Sequence, residues 1–129
     1  MRKYTITLNE EQMLLISRCI EDISRFLAGD TGLYHTIAAL DNWRELAQKL
    51  RLMQTFVTPE LDFRSNYGWN GMHCPNEHQR KLIAQTYYLY REMLHQYNLA
   101  NDIHNVYSSS TLRCADSGEP ITITWEDEE

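Results

Sequence analysis

Apolar and polar residues alternate at both ends of the chain. Near the N terminus, Tyr4, Ile6 and Leu8 are separated by polar residues. A period of two with β-branched neighbours is typical of a strand that buries one face. Segments of similar character near the C terminus are 106–107, 111–114 and 121–125. Because an isolated strand leaves its backbone groups unpaired, these segments predict a small antiparallel sheet formed by the N-terminal strand and the C-terminal strands.

A first helix is predicted to begin near residue 10. Asn9 followed by Gln12 is a capping-box pattern, and Gly29 is a typical residue for the C-terminal stop. Apolar residues recur at helical spacing between these signals. The predicted apolar face consists of Ile16, Cys19, Ile20, Ile23, Phe26 and Leu27.

Two further amphipathic helices are predicted. The second covers residues 33–53, with an expected interruption at Asp41-Asn42 because both residue types prefer caps. Thr58-Pro59 is expected to end this helical run, since the residue before proline is pushed out of the α region. The third begins near Pro75-Asn76 and precedes a polar connection at 98–105. Its apolar stripe consists of Ile83, Tyr87, Tyr90, Leu94 and Tyr97.

The length of 129 residues fits a single domain spanning residues 1–129. Hydrophobic residues make up 43% of the chain, which is enough for a core without a structural metal or disulfide. The predicted fold class is therefore α+β, with the small antiparallel sheet packed against three amphipathic helices.

Charge and cysteine content bear on the partners and the cellular compartment of the protein. The net charge of −6, part of it in the acidic tail 126–129, argues against polymeric nucleic acid as a partner. Cys19, Cys74 and Cys114 are odd in number and widely spaced, unlike a secreted disulfide framework. With no signal pattern and no apolar run near ~20 residues, we expect a cytoplasmic protein without membrane contact.

Residues 56–75 follow neither the alternation of a strand nor the spacing of an amphipathic helix. A structureless stretch of ~20 residues is uncommon in a compact domain and is often functional. Disordered segments are poor in aromatic residues, whereas Phe63, Tyr67 and Trp69 lie here. The segment is predicted to form a rigid loop that binds a ligand. The alternative is an aromatic cluster that only pins the loop to the protein.

The residue types of this loop suit a nucleotide. Aromatic rings stack on bases, guanidinium groups pair with phosphate, and carboxamides bind base edges. Glycines such as Gly68 and Gly71 permit close approach of the backbone. The candidate binding residues in the loop are Arg64, Asn66, Tyr67, Trp69, Asn70 and His73.

Arg113 and Asp116 form a second candidate pair beside a predicted turn. Arg113 would hold a phosphate, and Asp116 would bind a sugar hydroxyl or an exocyclic amine. The alternative is a local ion pair, which contributes little to stability.

Catalytic and metal-binding hypotheses rest on His73, Cys74, His78 and Cys114. A zinc site needs two well-spaced pairs of ligands, and only one pair is visible here. A Cys–His nucleophile pair would need supporting motifs that the sequence does not contain. We therefore expect no metal, no cofactor and no enzymatic activity, with Cys74 and Cys114 acting as small buried hydrophobes.

Several segments together resemble a known family. They are Tyr4–Leu8, Arg25–Gly29, Tyr67–Gly71 with Cys74–Asn76, and Asn105–Tyr107 with Thr111–Cys114. With these segments the chain resembles the phage anti-Thoeris sponge proteins, which sequester nucleotide signals of the cyclic ADP-ribose type without cleaving them. Some members of that family bind cyclic di- or trinucleotides, as anti-CBASS proteins do.

The resemblance implies a non-catalytic phage protein that counteracts host anti-phage signalling in an infected or lysogenic bacterium. It implies a homo-oligomer, a dimer or a hexamer, with Arg113 and Asp116 as ligand contacts. A protein–protein interaction module, such as a small phage inhibitor of a host factor, is the alternative. The acidic surface and the many tyrosines favour that alternative.

Overall fold

The computed structural model describes residues 2–57, 72–106 and 121–127. This part of the chain is built from α-helices and two short 3₁₀-helices at Ile37–Ala39 and Ile103–Asn105. The α-helices are α1 (Glu10–Leu27), α2 (Trp43–Arg51), α3 (Gln54–Val57) and α4 (Glu77–Asn101). No helix within these ranges is both long and apolar enough to cross a membrane.

Helix α1 begins where its capping signal predicts. The Asn9 side chain accepts a hydrogen bond from the Gln12 N–H at 2.8 Å, and the Gln12 side chain accepts one from the Asn9 N–H at 3.0 Å. This reciprocal pair satisfies two backbone donors that the first turn leaves without helical partners. The predicted start of the first helix is confirmed.

The end of α1 is set by Gly29, as predicted. Gly29 has a φ of 93°, a conformation that side chains with a Cβ rarely adopt. Its N–H donates to the Phe26 carbonyl at 3.0 Å, and the Asp30 N–H donates to the Arg25 carbonyl at 2.8 Å. These two bonds are those of a Schellman motif, which closes the last turn and redirects the chain.

Helix α4 begins after Asn76, whose side chain accepts from the Gln79 N–H at 3.0 Å. The predicted start near Pro75-Asn76 is confirmed. The predicted polar connection from residue 98 was wrong, because α4 continues to Asn101. Asn98 is buried, and its amide donates to the Asn105 carbonyl at 3.4 Å. This polar residue therefore lies within the helix and does not end it.

The core lies between α1 and α4. The buried residues of α1 include Ser17 and Ser24, and the C-cap residue Ala28 that follows the helix is buried too. The Ser24 hydroxyl donates to the carbonyl of Ile83 on α4 at 3.2 Å. Small side chains let two helix backbones approach closely, and α4 supplies the bulk of the packed volume. The α4 stripe is confirmed at Ile83, Tyr90 and Leu94, which are buried.

The predicted apolar face of α1 is only partly covered, since Ile20, Phe26 and Leu27 are half-buried. Ile16 and Ile23 are 38% and 52% exposed, and Cys19 is also exposed. Helix α1 meets α4 through its serine-containing edge, so its most apolar face points away from that contact.

The second predicted helix is divided. The expected interruption is confirmed, since α2 begins only after Asn42. Residues 33–36 do not form the helical start that was predicted. Leu33 has a φ of 46°, and the backbone N–H groups of His35 and Thr36 donate to the carboxylate of Asp22 on α1. The chain continues as α3 to Val57, so the predicted irregular segment 56–75 has its first two residues in a helix.

The predicted α+β fold with a sheet was wrong. The described residues are 65% helical and contain no strand. Tyr4 and Ile6 are 79% and 75% exposed, although their alternation is the one expected of a strand. At the other end, the Ile121 N–H donates to the hydroxyl of Tyr88 on α4 at 3.1 Å. The first described residue of the C-terminal segment therefore bonds to a helix. The predicted strand at 111–114 and the turn at 116–120 lie outside the described residues.

Candidate functional site

Most of the predicted ligand-binding residues lie outside the described ranges. In the loop these are Arg64, Asn66, Tyr67, Trp69 and Asn70, and near the C terminus they are Arg113 and Asp116. His73 is described, and it is exposed in a short helical turn before α4. We name residues 58–71 the aromatic segment. The structure describes the residues on either side of it, up to residue 57 and from residue 72.

Residues on either side of the aromatic segment are bonded to the first turns of α4. The Gln79 side-chain amide donates to the carbonyl oxygen of Leu27 at 2.7 Å and to that of Val57 at 3.3 Å. One residue along, Nη1 of Arg80 donates to the carbonyl oxygen of Cys74 at 2.8 Å. Val57, before the aromatic segment, and Cys74, after it, therefore contact neighbouring residues of one helix.

The N-terminus of α4 is already supplied with negative partners. The Asn76 oxygen accepts from the Gln79 N–H, and Glu77 in the first turn pairs with Lys81 at 3.0 Å. Both groups compensate the positive end of the helix dipole. An anionic ligand would therefore find its positive partner in side chains, not in this helix end.

Arg80 is such a side chain. It is half-buried at the return of the aromatic segment. A guanidinium group has five N–H donors in a planar fork, so its bond to the Cys74 carbonyl leaves further donors for an anionic oxygen. Sequence analysis missed Arg80, because the position of an arginine on the first turn of a helix does not show which loop it contacts.

Cys74 is 2% exposed, whereas His73 and His78 are exposed. The interpretation of Cys74 as a small buried hydrophobe is confirmed. No cluster of three or more His, Cys, Asp or Glu side chains suited to a metal ion occurs within the described ranges. Cys114, the other residue of the metal hypothesis, lies outside them.

A polar cluster that sequence analysis did not identify joins the end of α1 to the following turn. Its members are Glu21, Arg25, Asp30, Tyr34 and His35. Arg25 is 2.9 Å from Glu21 through Nε and 3.6 Å from Asp30 through Nη1. The second oxygen of Glu21 is 3.3 Å from Nε2 of His35, and the Tyr34 hydroxyl donates to Asp30 at 3.1 Å.

The electrostatics of this cluster show that its cation is already neutralised. Burial of the Arg25 guanidinium opposes its charge, but the hydrogen bond and the charge of Glu21 prevail and raise the pKa of Arg25. Burial raises the pKa of Tyr34, and Asp30 raises it further. An incoming phosphate would compete with two carboxylates for Arg25. The cluster therefore fixes the turn after α1 and is a poor anion site.

Part of this cluster has a sequence signal. Glu21 and Arg25 are four residues apart, the spacing at which helical side chains meet. The pairing of Glu21 with His35 depends on the reversal of the chain at Gly29, which a helical pattern does not describe.

Comparison with known proteins adds no relative. The chain matches no protein family, no curated protein and no solved structure.

Proposed function

We propose that this protein binds and sequesters a cyclic nucleotide immune signal without cleaving it, and that it thereby counteracts host anti-phage signalling. The ligand would be a cyclic ADP-ribose isomer or a cyclic oligonucleotide. The main supporting observation is that Gln79 and Arg80 bond to the backbone on either side of the aromatic segment, at Val57 and Cys74. A loop fixed at both ends loses less conformational entropy when it binds a ligand.

The roles of the ligand-binding residues follow from their chemistry. Tyr67 and Trp69 would stack on the base, a contact of about 1–3 kcal/mol per ring in nucleic-acid complexes. Arg64 and Arg113 would pair with the phosphates in fork geometry. The remaining contacts would be polar, from carboxamides to base edges and from a carboxylate to a ribose hydroxyl or an amine. These residues are Asn66, Asn70, His73 and Asp116.

The absence of catalysis is part of the proposal. A nucleophilic thiol must be reached by its substrate, and Cys74, the nucleophile that the sequence suggested, is 2% exposed. The buried thiol supports the view that the protein holds its ligand intact. Release of an intact nucleotide then depends only on the dissociation rate.

Isothermal titration calorimetry with purified chain tests the binding. We expect a cyclic ADP-ribose isomer or a cyclic dinucleotide to bind the unmodified protein. Trp69→Ala and Arg113→Ala should each weaken binding by about fivefold or more, since each removes at least about 1 kcal/mol. Lys81→Ala is the matched control, because Lys81 is exposed and pairs with Glu77. Failure of every cyclic nucleotide to bind contradicts the proposal.

A protein–protein interaction module is the second candidate, and one feature of the structure favours it. Exposed large apolar residues are concentrated around α2 and α3, where Trp43 is 44% and Phe56 is 80% exposed. Exposed apolar patches often mark interaction sites. Capture of one identified host protein, lost in Phe56→Ser and retained in Trp69→Ala and Arg113→Ala, would favour this candidate.

A further inference from the structure

Tyr34 lies in the turn after α1 and is held in one position, although it is 60% exposed. Its hydroxyl donates to Asp30 at 3.1 Å. Its ring lies directly over Gly32, where a Cβ would come within 2.6 Å of the ring atom Cζ. Because Gly32 covers one face of the ring, most of the exposed area belongs to the opposite face. The turn therefore presents a fixed, flat aromatic surface to solvent.

The backbone before Tyr34 is held in a rare conformation. Leu33 has a φ of 46°, which lies in the left-handed region that residues other than glycine seldom adopt. Just beyond Tyr34, the N–H groups of His35 and Thr36 donate to the buried carboxylate of Asp22 on α1. Such strain persists only where the surrounding structure enforces it, and it is concentrated at ligand-binding and active sites. Packing of Tyr34 does not account for the strain, because this side chain is largely exposed.

The C-terminal end of α2 lies against the same turn. Thr31 is buried, and its hydroxyl donates to the carbonyl oxygen of Leu50 at 2.5 Å. This bond holds the last turn of α2 beside the turn that contains Tyr34. Arg51 follows Leu50 directly and is the last residue of α2, so the fold brings its backbone to the same place.

Arg51 is a cation near Tyr34 that is available to a ligand. Burial and the charge of Asp30 raise the pKa of Tyr34, whereas the charges of Arg25 and Arg51 oppose the rise. Both guanidinium groups are therefore close enough to act on the phenol. Arg25 is bound by Glu21 and Asp30, but Arg51 is exposed and makes no ion pair within the described ranges. A phosphate at Arg51 would not have to displace a carboxylate of these residues.

We propose that Tyr34 and Arg51 form a nucleotide-binding subsite, in which the Tyr34 ring stacks on a nucleobase and the Arg51 guanidinium pairs with a phosphate. Stacking suits any base, since every base has a π-face, and a guanidinium binds two phosphate oxygens through its planar fork. A ring that is already fixed loses less conformational entropy when the ligand binds. The inference rests on the proposed function and adds to it contacts outside the aromatic segment.

One side chain connects the subsite with the start of the aromatic segment. Gln79 on α4 bonds the carbonyl oxygens of Leu27 and Val57. Leu27 is the last residue of α1, just before the turn that contains Tyr34, and Val57 directly precedes the aromatic segment. Because both parts of the chain depart from this one anchor, we expect them to serve the same ligand.

Isothermal titration calorimetry of the full chain with cyclic ADP-ribose and with cyclic di-AMP tests the subsite. We expect Tyr34→Ala and Arg51→Ala each to weaken binding of the nucleotide that the unmodified protein binds by about fivefold or more, which is the lower end of a stacking contact. Tyr4→Ala and Arg18→Ala are the matched controls, because both residues are exposed and lie outside the turn. These two variants should bind as the unmodified protein does.

Two further variants separate stacking from a general effect on the turn. Tyr34→Phe keeps the ring and removes only the hydroxyl, so its affinity should stay within about twofold of that of the unmodified protein. Gly32→Ala keeps Tyr34 but displaces its ring, because the added Cβ would lie 2.6 Å from Cζ, so it should weaken binding as Tyr34→Ala does. Urea unfolding checks that each variant is folded. Equal losses of affinity in Tyr34→Phe and Tyr34→Ala would exclude stacking.

The outcomes distinguish the subsite from the proposed function. Binding by the unmodified protein that is unchanged in Tyr34→Ala and Arg51→Ala overturns the subsite and leaves the proposed function intact. Weaker binding in these two variants, with Trp69→Ala unaffected, supports the subsite and contradicts the role assigned to the aromatic segment. An unmodified protein that binds neither nucleotide overturns both.

Discussion

The side-chain amide of Gln79 lies 3.3 Å from the carbonyl oxygen of Val57, and the same nitrogen also bonds the carbonyl oxygen of Leu27. One side chain on α4 therefore joins the end of α1 to the end of α3. Both carbonyl groups lie at helix C-termini, where backbone oxygens have no helical partner. This contact fixes the point from which the aromatic segment departs.

Replacement of Gln79 by leucine should lower both stability and ligand affinity. Two carbonyl groups would lose their donor, at about 0.5–1.5 kcal/mol for each hydrogen bond. Urea unfolding and calorimetry of the same sample measure the two effects. Gln85→Leu is the control, since Gln85 is exposed on the same helix. Unchanged affinity in Gln79→Leu would show that the anchoring of the segment does not matter for binding.

Asp22 should be a strong determinant of stability. Its buried carboxylate accepts hydrogen bonds from the backbone N–H groups of His35 at 3.1 Å and Thr36 at 2.6 Å. Asp22→Ala leaves these donors without that acceptor, so we expect a loss of about 1–3 kcal/mol in the free energy of unfolding. Asp41→Ala, at an exposed position, should change it by less than about 0.5 kcal/mol. Equal losses in the two variants would contradict this role.

Gly29 should tolerate asparagine better than alanine. At a φ of 93° a Cβ is strained, and Gly29→Ala should cost about 1 kcal/mol. Asparagine adopts positive φ more readily, so Gly29→Asn should cost less. Thermal unfolding of the two variants checks the order, and a more stable alanine variant would exclude backbone strain as the cause.

Tyr90 should make the protein less stable at alkaline pH. Burial raises the pKa of Tyr90 above its ordinary value of 10.0, with Arg25 opposing and Glu21 adding to the rise. The folded chain therefore retains a proton that the unfolded chain loses. This stabilisation is complete below pH 10.0 and is lost as pH rises through the higher pKa of the folded state.

Urea unfolding from about pH 8 to about pH 11 tests this dependence. The decline of unfolding free energy should be shallower in Tyr90→Phe than in the unmodified protein. Tyr4→Phe, which removes an exposed phenol, is the matched control. Parallel declines in the unmodified protein and Tyr90→Phe would refute the role of Tyr90.

The local signals of the sequence predicted the helix boundaries well. The capping box at Asn9, the stop at Gly29 and the cap at Asn76 act within a few residues, so their physics is present in the sequence itself. The sheet prediction failed because alternation of apolar and polar residues indicates a segment with one apolar face, but does not show which element packs against it. Tyr88 of α4 bonds the Ile121 N–H, a contact across 33 residues that no local pattern shows.

The prediction of which α1 residues are buried failed in part for a related reason. The hydrophobic pattern selected Ile16 and Ile23, but Ser17 and Ser24 are the buried residues, and the Ser24 hydroxyl donates to the carbonyl of Ile83 on α4. The candidate site was predicted from residue types in a segment with no period. Its anchors, Gln79 and Arg80, were missed because they lie in a regular helix and contact the segment only through the tertiary fold.

The most direct test of the account is recovery of the ligand. Purified chain is incubated with a cyclic ADP-ribose isomer or a cyclic oligonucleotide, the free nucleotide is measured, and the protein is then denatured by heat before chromatography and mass spectrometry. We expect depletion of the free nucleotide at protein excess, followed by return of the same molecule with unchanged mass and retention. No depletion, or the return of an altered nucleotide, would contradict it.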